Sequence, residues 1–197
     1  QVPVAKCYWH LGSGGPHRGR KTMKIGEKAV DFKLKGVDGR DHSLGEFLTK
    51  DILVIFFTCN HCPYAQAYED RLVKLQRDYQ DKGVQFIAIN SNDDKNYPED
   101  SFEKMKERAR EKGFNFPYLR DSDQNVARGY NAACTPEIYL FDQERKLQYH
   151  GKVDDNWKDP TAVTRQYVRE AIDALLSDYG ISEPEIPAIG CSIKWSK

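Results

Sequence analysis

A chain of 197 residues with 39% hydrophobic and 12% aromatic side chains is long enough to bury one ordinary core without disulfide or metal staples. Its 30 Lys and Arg balance 30 Asp and Glu, and formal neutrality argues against a nucleic-acid or membrane-surface protein, which would carry a net basic face. Five cysteines, an odd number, argue against a fully paired secreted scaffold.

Residues 1–22, QVPVAKCYWHLGSGGPHRGRKT, show neither helical nor strand periodicity and no apolar signal core. They hold Lys6, Arg18, Arg20 and Lys21 and no acid, which leaves 26 bases against 30 acids from Met23 onward. The segment reads as a cloning remnant or a processed basic leader, with Met23 the natural start and a transit peptide as the alternative. Cys7 and His10 lie there and are discounted as site residues. One domain, residues 23–197, is expected to follow.

From Met23 the pattern is regular. Asp31–Val37 alternates as a strand does, and Asp38-Gly39 supplies a turn. Ser43-Leu44-Gly45-Glu46 has capping-box spacing and opens a short helix. Ile52–Phe57 is a continuous β-branched and aromatic run, the mark of a strand buried on both faces. It is also the longest apolar run, far short of a membrane span of roughly 20 residues. Tyr64, Tyr68, Leu72, Leu75 and Tyr79 fall at helical spacing before Gly83, and Val84–Ile89 is a second buried strand. Asn90–Asp100 reads as a polar loop. Phe102, Met105 and Ala109 mark a helix whose EKMKERAREK run is a solvated face laced by i,i+4 pairs. A short strand near Tyr118 and a helix around Val126 come next. Glu137–Phe141 and Lys146–Val153 form a hairpin, and Val163, Tyr167, Ala171, Leu175 and Tyr179 form the stripe of a last helix. The tail 180–197, with Pro184 and Pro187, should run extended. Two β–α–β crossovers, a hairpin and a terminal helix predict an α/β domain whose central mixed sheet is covered on both faces.

Cys59-Asn60-His61-Cys62 falls directly after the first central strand, at the sheet edge where sites form in open α/β folds. A thiolate is the attacking species in disulfide exchange, so a redox cysteine needs a lowered pKa and some exposure. A strand-to-helix junction supplies free N–H groups and the positive end of a helix dipole, here expected to face the first cysteine. Cys59 is thus the expected nucleophile and Cys62 the resolving thiol, with His61, when protonated, stabilising the Cys59 thiolate. The competing reading is half of a zinc site completed by His61, Cys134 and Cys191, but no second knuckle of close spacing exists. No metal is expected.

The stretch ILVIFFTCNHCP, together with Cys134-Thr135-Pro136, resembles the thioredoxin-like superfamily. Within it the chain is similar to the redoxin branch of alkyl hydroperoxide reductase/thiol-specific antioxidant relatives and membrane-tethered thiol–disulfide reductases, and to its "peroxiredoxin-like" bacterial and archaeal members. VDFKLKGVDGRDHSL, FPYLRDSDQNVARGY, ACTPEIYLFD and IGCSIKW carry the resemblance from about Gly26 to Trp195. It implies a thioredoxin-like fold with an N-terminal β extension and an extended C-terminal tail. It also implies that Pro136 is a cis-proline facing the dithiol and that Thr135 offers backbone atoms to a bound disulfide.

Peroxiredoxins place a Thr three residues before their peroxidatic cysteine, whereas here Cys59 stands three before Cys62 and Thr58 is one step out of register. That favours dithiol–disulfide exchange over a thiol peroxidase, which stays as the alternative with Cys62 or Cys59 attacking peroxide. A metal-binding or redox-sensing module is the non-enzymatic alternative. Leu53 stands where thioredoxin has a buried Asp; Glu103 or Asp93 is the substitute, or both are solvated. Cys134 and Cys191 are either buried small hydrophobes, a disulfide of their own, or a relay for the Cys59–Cys62 disulfide. Trp157 is a substrate-facing or a packing aromatic, Trp195 with Ile193 staples the tail, and His42 and His150 are surface or strand residues. The expected partners are a disulfide-bearing protein or small-thiol substrate, an external thiol reductant and, on the alternative reading, peroxide; nucleic acid, membrane and any dissociable cofactor are not expected. The expected compartment is the cytoplasm.

Overall fold

The computed structural model describes residues 23–196. The basic segment with Cys7 and His10 lies outside the described residues. Ten strands and four α-helices follow in order: β1 (Lys33–Gly36), β2 (Asp41–Ser43), β3 (Ile52–Phe57), α1 (Pro63–Tyr79), β4 (Val84–Asn90), α2 (Phe102–Glu111), β5 (Tyr118–Arg120), α3 (Asn125–Tyr130), β6 (Cys134–Thr135), β7 (Glu137–Phe141), β8 (Leu147–Gly151), α4 (Tyr167–Leu176), β9 (Glu185–Ile186) and β10 (Cys191–Ser192). Eight strands make one mixed sheet in the order β2-β1-β5-β4-β3-β7-β8-β9, and β10 pairs with β6 in a separate ribbon. Strands β3, β4 and β5 run parallel, while β7 joins β3 antiparallel. This is the expected thioredoxin-like arrangement, with the β1–β2 hairpin as its N-terminal extension.

The continuous apolar run of β3 has two destinations. Ile52, Val54 and Phe56 face the layer that holds Leu72 of α1, Met105 of α2 and Val168 of α4. Leu53, Ile55 and Phe57 face Leu44 and Phe47 of the preceding 3-10 turn and Val126 and Tyr130 of α3. A strand with both faces covered needs no polar alternation, which is why the run is unbroken. Each such side chain contributes about 1.5–3 kcal/mol by leaving water, so β3 anchors the fold and fixes the position of the Cys59 turn at its end. Among the described residues no helix is long and apolar enough to cross a membrane.

Several boundaries differ from expectation for local reasons. Glu46 accepts from the Ser43 amide at 3.0 Å, as a capping box predicts, but the element it opens is a 3-10 turn, Leu44–Phe47. The last helix is shorter than its stripe. Pro160 opens a 3-10 turn capped by Asp159, which keeps Val163 outside, and Asp178 takes φ +55°, which ends the helix before an exposed Tyr179. The polar loop Asn90–Asp100 exposes Lys95, Asn96, Pro98 and Glu99 but buries Asn90, Ser91, Asn92, Asp93 and Asp100. His42 and His150 are strand residues, as one of the two expectations had them, and both are buried against carboxylates, Asp38 and Glu46 for the first and Glu137 for the second. On α2 the charge pairs are Lys104–Glu107 and Lys106–Glu103, at i,i+3 spacing, while Arg108 leaves that face to clamp the buried Glu69 of α1.

The tail returns to the sheet at two glycines. Gly151, at φ +153°, pairs with Ile186 of β9, and a β-carbon there would stand 2.0 Å from the Ile186 carbonyl oxygen. Gly190 lies against the Thr135–Pro136 peptide, where a β-carbon would stand 2.0 Å from the Thr135 carbonyl oxygen. Only a residue without a side chain permits such approaches. Ile193 is buried in the lower core layer and Trp195 stacks under Arg128 at 4.6 Å, so this pair staples the tail as expected.

Candidate active site

The polypeptide leaves the C-terminal end of β3, turns through Cys59-Asn60-His61 and enters α1 with Cys62 as N-cap and Pro63 at the first helical position. Proline suits that position because its missing N–H would have had no helical partner. The turn is braced from several sides. The Asn60 amide donates to Asp100 Oδ1 at 2.6 Å, its side chain donates to the Glu99 carbonyl at 2.8 Å, and Tyr118 donates to its Oδ1 at 2.8 Å. Gln66 of α1 donates back to the Asn60 carbonyl at 2.6 Å.

Facing the turn is the loop between β6 and β7, where the Thr135–Pro136 peptide is cis, as the resemblance implied. Thr135 touches both sulfurs: Cys59 Sγ lies 3.3 Å from its hydroxyl, and the Cys62 thiol donates to its carbonyl at 3.2 Å. The loop hangs on a fully buried carboxylate. Glu137 accepts from the amides of Ala133 at 2.7 Å and Cys134 at 3.1 Å, from the Tyr139 hydroxyl at 3.0 Å and from His150 Nε2 at 2.7 Å.

The electrostatics differ from expectation in where the helix terminus points. The helix N-terminus faces Cys62, not Cys59, because Cys62 is the N-cap. Hydrogen bonds from the thiols of Cys191 and Cys59, together with the Ala65 and Cys191 amides, outweigh burial and hold the Cys62 thiol below its ordinary value. Burial, the shared hydrogen bond with Cys62 and the nearby Asp100 charge push Cys59 up. The two shifts run in opposite directions because Cys62, the inner sulfur, shares one hydrogen bond with Cys59. His61 places its Nδ1 2.6 Å from Asp100 Oδ2 and stacks its ring on Tyr97 at 5.4 Å.

Asp100 is the residue that sequence reasoning missed. The candidates named in its place do not serve: Asp93 accepts from Lys95 and Asn96 within its own loop, and Glu103 is exposed and paired with Lys106. Asp100 is fully buried and accepts from Asn60, His61, Asn90 and Asn92. Burial alone would raise its carboxyl, but the bonds from His61 and Asn92 hold it below the ordinary carboxylate value. In turn the bond to Asp100 raises His61 above its ordinary value. The stabilisation from a raised imidazole is complete below its unfolded pKa of about 6.5 and is lost as pH climbs through the folded value. The stabilisation from a lowered carboxyl is complete above about 3.9 and is lost as pH falls through the folded value. The pair is thus fully engaged between about pH 4 and pH 6.5. In an NMR titration His61 is expected to protonate above about 6.5 in the wild type, and Asp100→Asn is expected to bring that midpoint down. An unmoved midpoint would remove Asp100 as its cause.

Cys59, His61 and Asp100 each bring one ligand atom within 4.8 Å of the others. The carboxylate of this set is already occupied by four donors. The zinc quartet considered from sequence does not assemble, because Cys134 packs with Ala188 away from the dithiol. Strand register explains the separation: Cys191 stands opposite Thr135 and Ser192 opposite Cys134, so the Cys134 and Cys191 side chains leave opposite faces of the ribbon. A Cys134–Cys191 disulfide is thereby ruled out in this fold, and no disulfide joins the four described cysteines. Cys191 instead packs on Cys59 and Cys62. Trp157 packs over Tyr64 at 4.3 Å at the margin of the same cluster, its loop held by Arg71 through Asp154 and the carbonyls of Asn156 and Trp157.

Over 131 residues the chain is 28% identical to the thiol-disulfide oxidoreductase ResA of Geobacillus thermodenitrificans, covering 66% of this chain and 70% of that one. Among solved structures it is similar to an uncharacterized conserved protein from Geobacillus kaustophilus, at 46% identity and a TM-score of 0.84 over 89% of this chain and 94% of that one. A hypothetical protein from Sinorhizobium meliloti 1021 shows 38% identity and a TM-score of 0.85 over 89% and 97%. Residues 25–150, which span the dithiol turn, Asp100 and the cis-proline loop, match the AhpC/TSA family, and the chain belongs to that family.

Proposed function

We propose that this protein is a thiol–disulfide oxidoreductase in which Cys59 attacks a substrate disulfide and Cys62 resolves the mixed disulfide. One observation carries the reading: both sulfurs of the Cys-x-x-Cys turn converge on Thr135, the residue that leads into the cis-proline. The ResA relative supports the reaction class. As Cys59 Sγ bonds to one substrate sulfur, the substrate S–S bond breaks, and the other substrate sulfur leaves with the bonding pair and takes up the proton that Cys59 gives up. Cys62 then attacks Cys59 Sγ, the mixed disulfide breaks, and the second substrate sulfur departs with the bonding pair and takes up the proton that Cys62 gives up. The pair ends as a disulfide, the substrate as two thiols, and an external thiol system restores the dithiol. No dissociable cofactor enters.

A thiol peroxidase is the second reading, and the observation behind it is the placement of Cys62 at the helix N-terminus with a depressed pKa. Turbidimetric insulin reduction and peroxide consumption, both driven by dithiothreitol on one sample, separate the two. Insulin reduction above the dithiothreitol background is the expected result. Turnover that appears only with peroxide would replace the first reading by the second.

A further inference from the structure

The third thiol of the site belongs to the tail. Cys191 sits on β10, whose backbone pairs with β6 so that Cys191 stands opposite Thr135 and its side chain shares that residue's face. It belongs to the buried cluster of Cys59 and Cys62, and its thiol hydrogen-bonds the Cys62 sulfur. The segment carrying it is fixed on both sides. Upstream, Gly190 lies flat on the Thr135–Pro136 peptide. Downstream, the Ile193 amide donates to the Ala133 carbonyl at 3.0 Å and the Lys194 amide to Asn92 at 2.8 Å. The Lys194 carbonyl accepts from the Asp93 amide at 2.8 Å and from Gln124 at 2.9 Å. A cysteine delivered this way is neither a loose surface thiol nor a filler of the main core. It is held against the inner sulfur of the dithiol by a purpose-shaped strand.

On the oxidoreductase reading of the site, we propose that Cys191 is a third redox thiol, which takes over the oxidation from the Cys59–Cys62 disulfide by attacking Cys62 Sγ. The Cys191 sulfur bonds to Cys62 Sγ as the Cys59–Cys62 bond breaks. Cys59 departs with the bonding pair and accepts the proton that Cys191 gives up. One disulfide is consumed and one formed, so no outside electron donor or acceptor takes part. Cys59 is returned as a thiol while the oxidation rests on Cys62–Cys191, and the tail is then tied covalently across the cis-proline loop.

Peptide mapping reads this directly. The reduced full chain is treated with one equivalent of diamide, quenched in acid, alkylated and digested with trypsin without reduction. Residues 51–71 carry both Cys59 and Cys62, whereas residues 170–194 carry Cys191. The expected product is these two peptides joined through Cys62 and Cys191, with Cys59 alkylated. In Gly190→Ala, where the added methyl group would collide with Thr135, the expected product shifts to a Cys59–Cys62 disulfide within one peptide and an alkylated Cys191. If the wild type gives only the Cys59–Cys62 disulfide with Cys191 fully alkylated, this inference is overturned while the oxidoreductase reading stands. A cross-link that runs through Cys59 instead of Cys62 overturns it equally. If residues 51–71 form no disulfide and insulin is not reduced, both fall together.

Discussion

Cys59→Ser is expected to lower insulin reduction by on the order of 10³-fold or more, the scale on which enzymes lose a covalent nucleophile. Serine keeps the volume and the hydrogen bond to Thr135, but its hydroxyl does not ionise at neutral pH and does not attack disulfides. Cys62→Ser is expected to lose turnover to a similar extent for a different reason. The first bond still forms, but nothing resolves it, so the variant should accumulate a mixed disulfide with its substrate, visible on a non-reducing gel. The comparison matters because Cys62 is the thiol that caps the helix and is held below its ordinary value. Were Cys59→Ser to trap substrate and Cys62→Ser to trap none, the two roles would be exchanged.

Glu137→Ala is expected to cost several kcal/mol of stability, about 1–3 kcal/mol for each buried hydrogen bond that loses its carboxylate. Glu137 is fully buried, and the variant removes the carboxylate shared by His150, the Tyr139 hydroxyl and the amides of Ala133 and Cys134. Because those amides lead into Thr135-Pro136, disulfide reduction should fall in the same variant even where it remains folded. Burial by itself would raise the Glu137 carboxyl, but His150 and the two amides hold it below its ordinary value. Its contribution is therefore present above the unfolded value of about 4.3 and is lost as pH falls through the folded one. Urea unfolding of wild type and variant should accordingly differ most near neutrality and converge in acid. A gap that stayed constant with pH would mean that the cost is one of packing and not of charge.

Much of the fold and part of the site are legible in the amino-acid order, and the residues show why. Ile52–Phe57 declares itself because a strand buried on both faces has no polar alternation to hide it, and Cys59 and Cys62 are tied to each other by local spacing alone. Val163 and Tyr179 mislead because helical spacing carries no information about Pro160 or about the left-handed Asp178 that ends the helix. Asp100 is illegible for another reason. Among the acids and amides of Asn90–Asp100 nothing marks it, and its importance arises only when that segment folds under the Cys59-Asn60-His61 turn and is buried there. His150 is similar, since its partner Glu137 sits on the neighbouring strand. Cys191 needs the register of a ribbon between segments far apart in sequence, and a shift of one residue would have turned it to the opposite face.

Only 2% of the Cys59 surface and none of the Cys62 surface meets solvent. Any reagent must wait for a local opening around the pair, so observed reactivity is the product of an opening equilibrium and an intrinsic rate. When the reagent reacts more slowly than the structure recloses, the protein behaves as a dithiol diluted by its own closed fraction. When it reacts faster, iodoacetamide and a bulky protein disulfide would be consumed at one common speed, that of the opening itself.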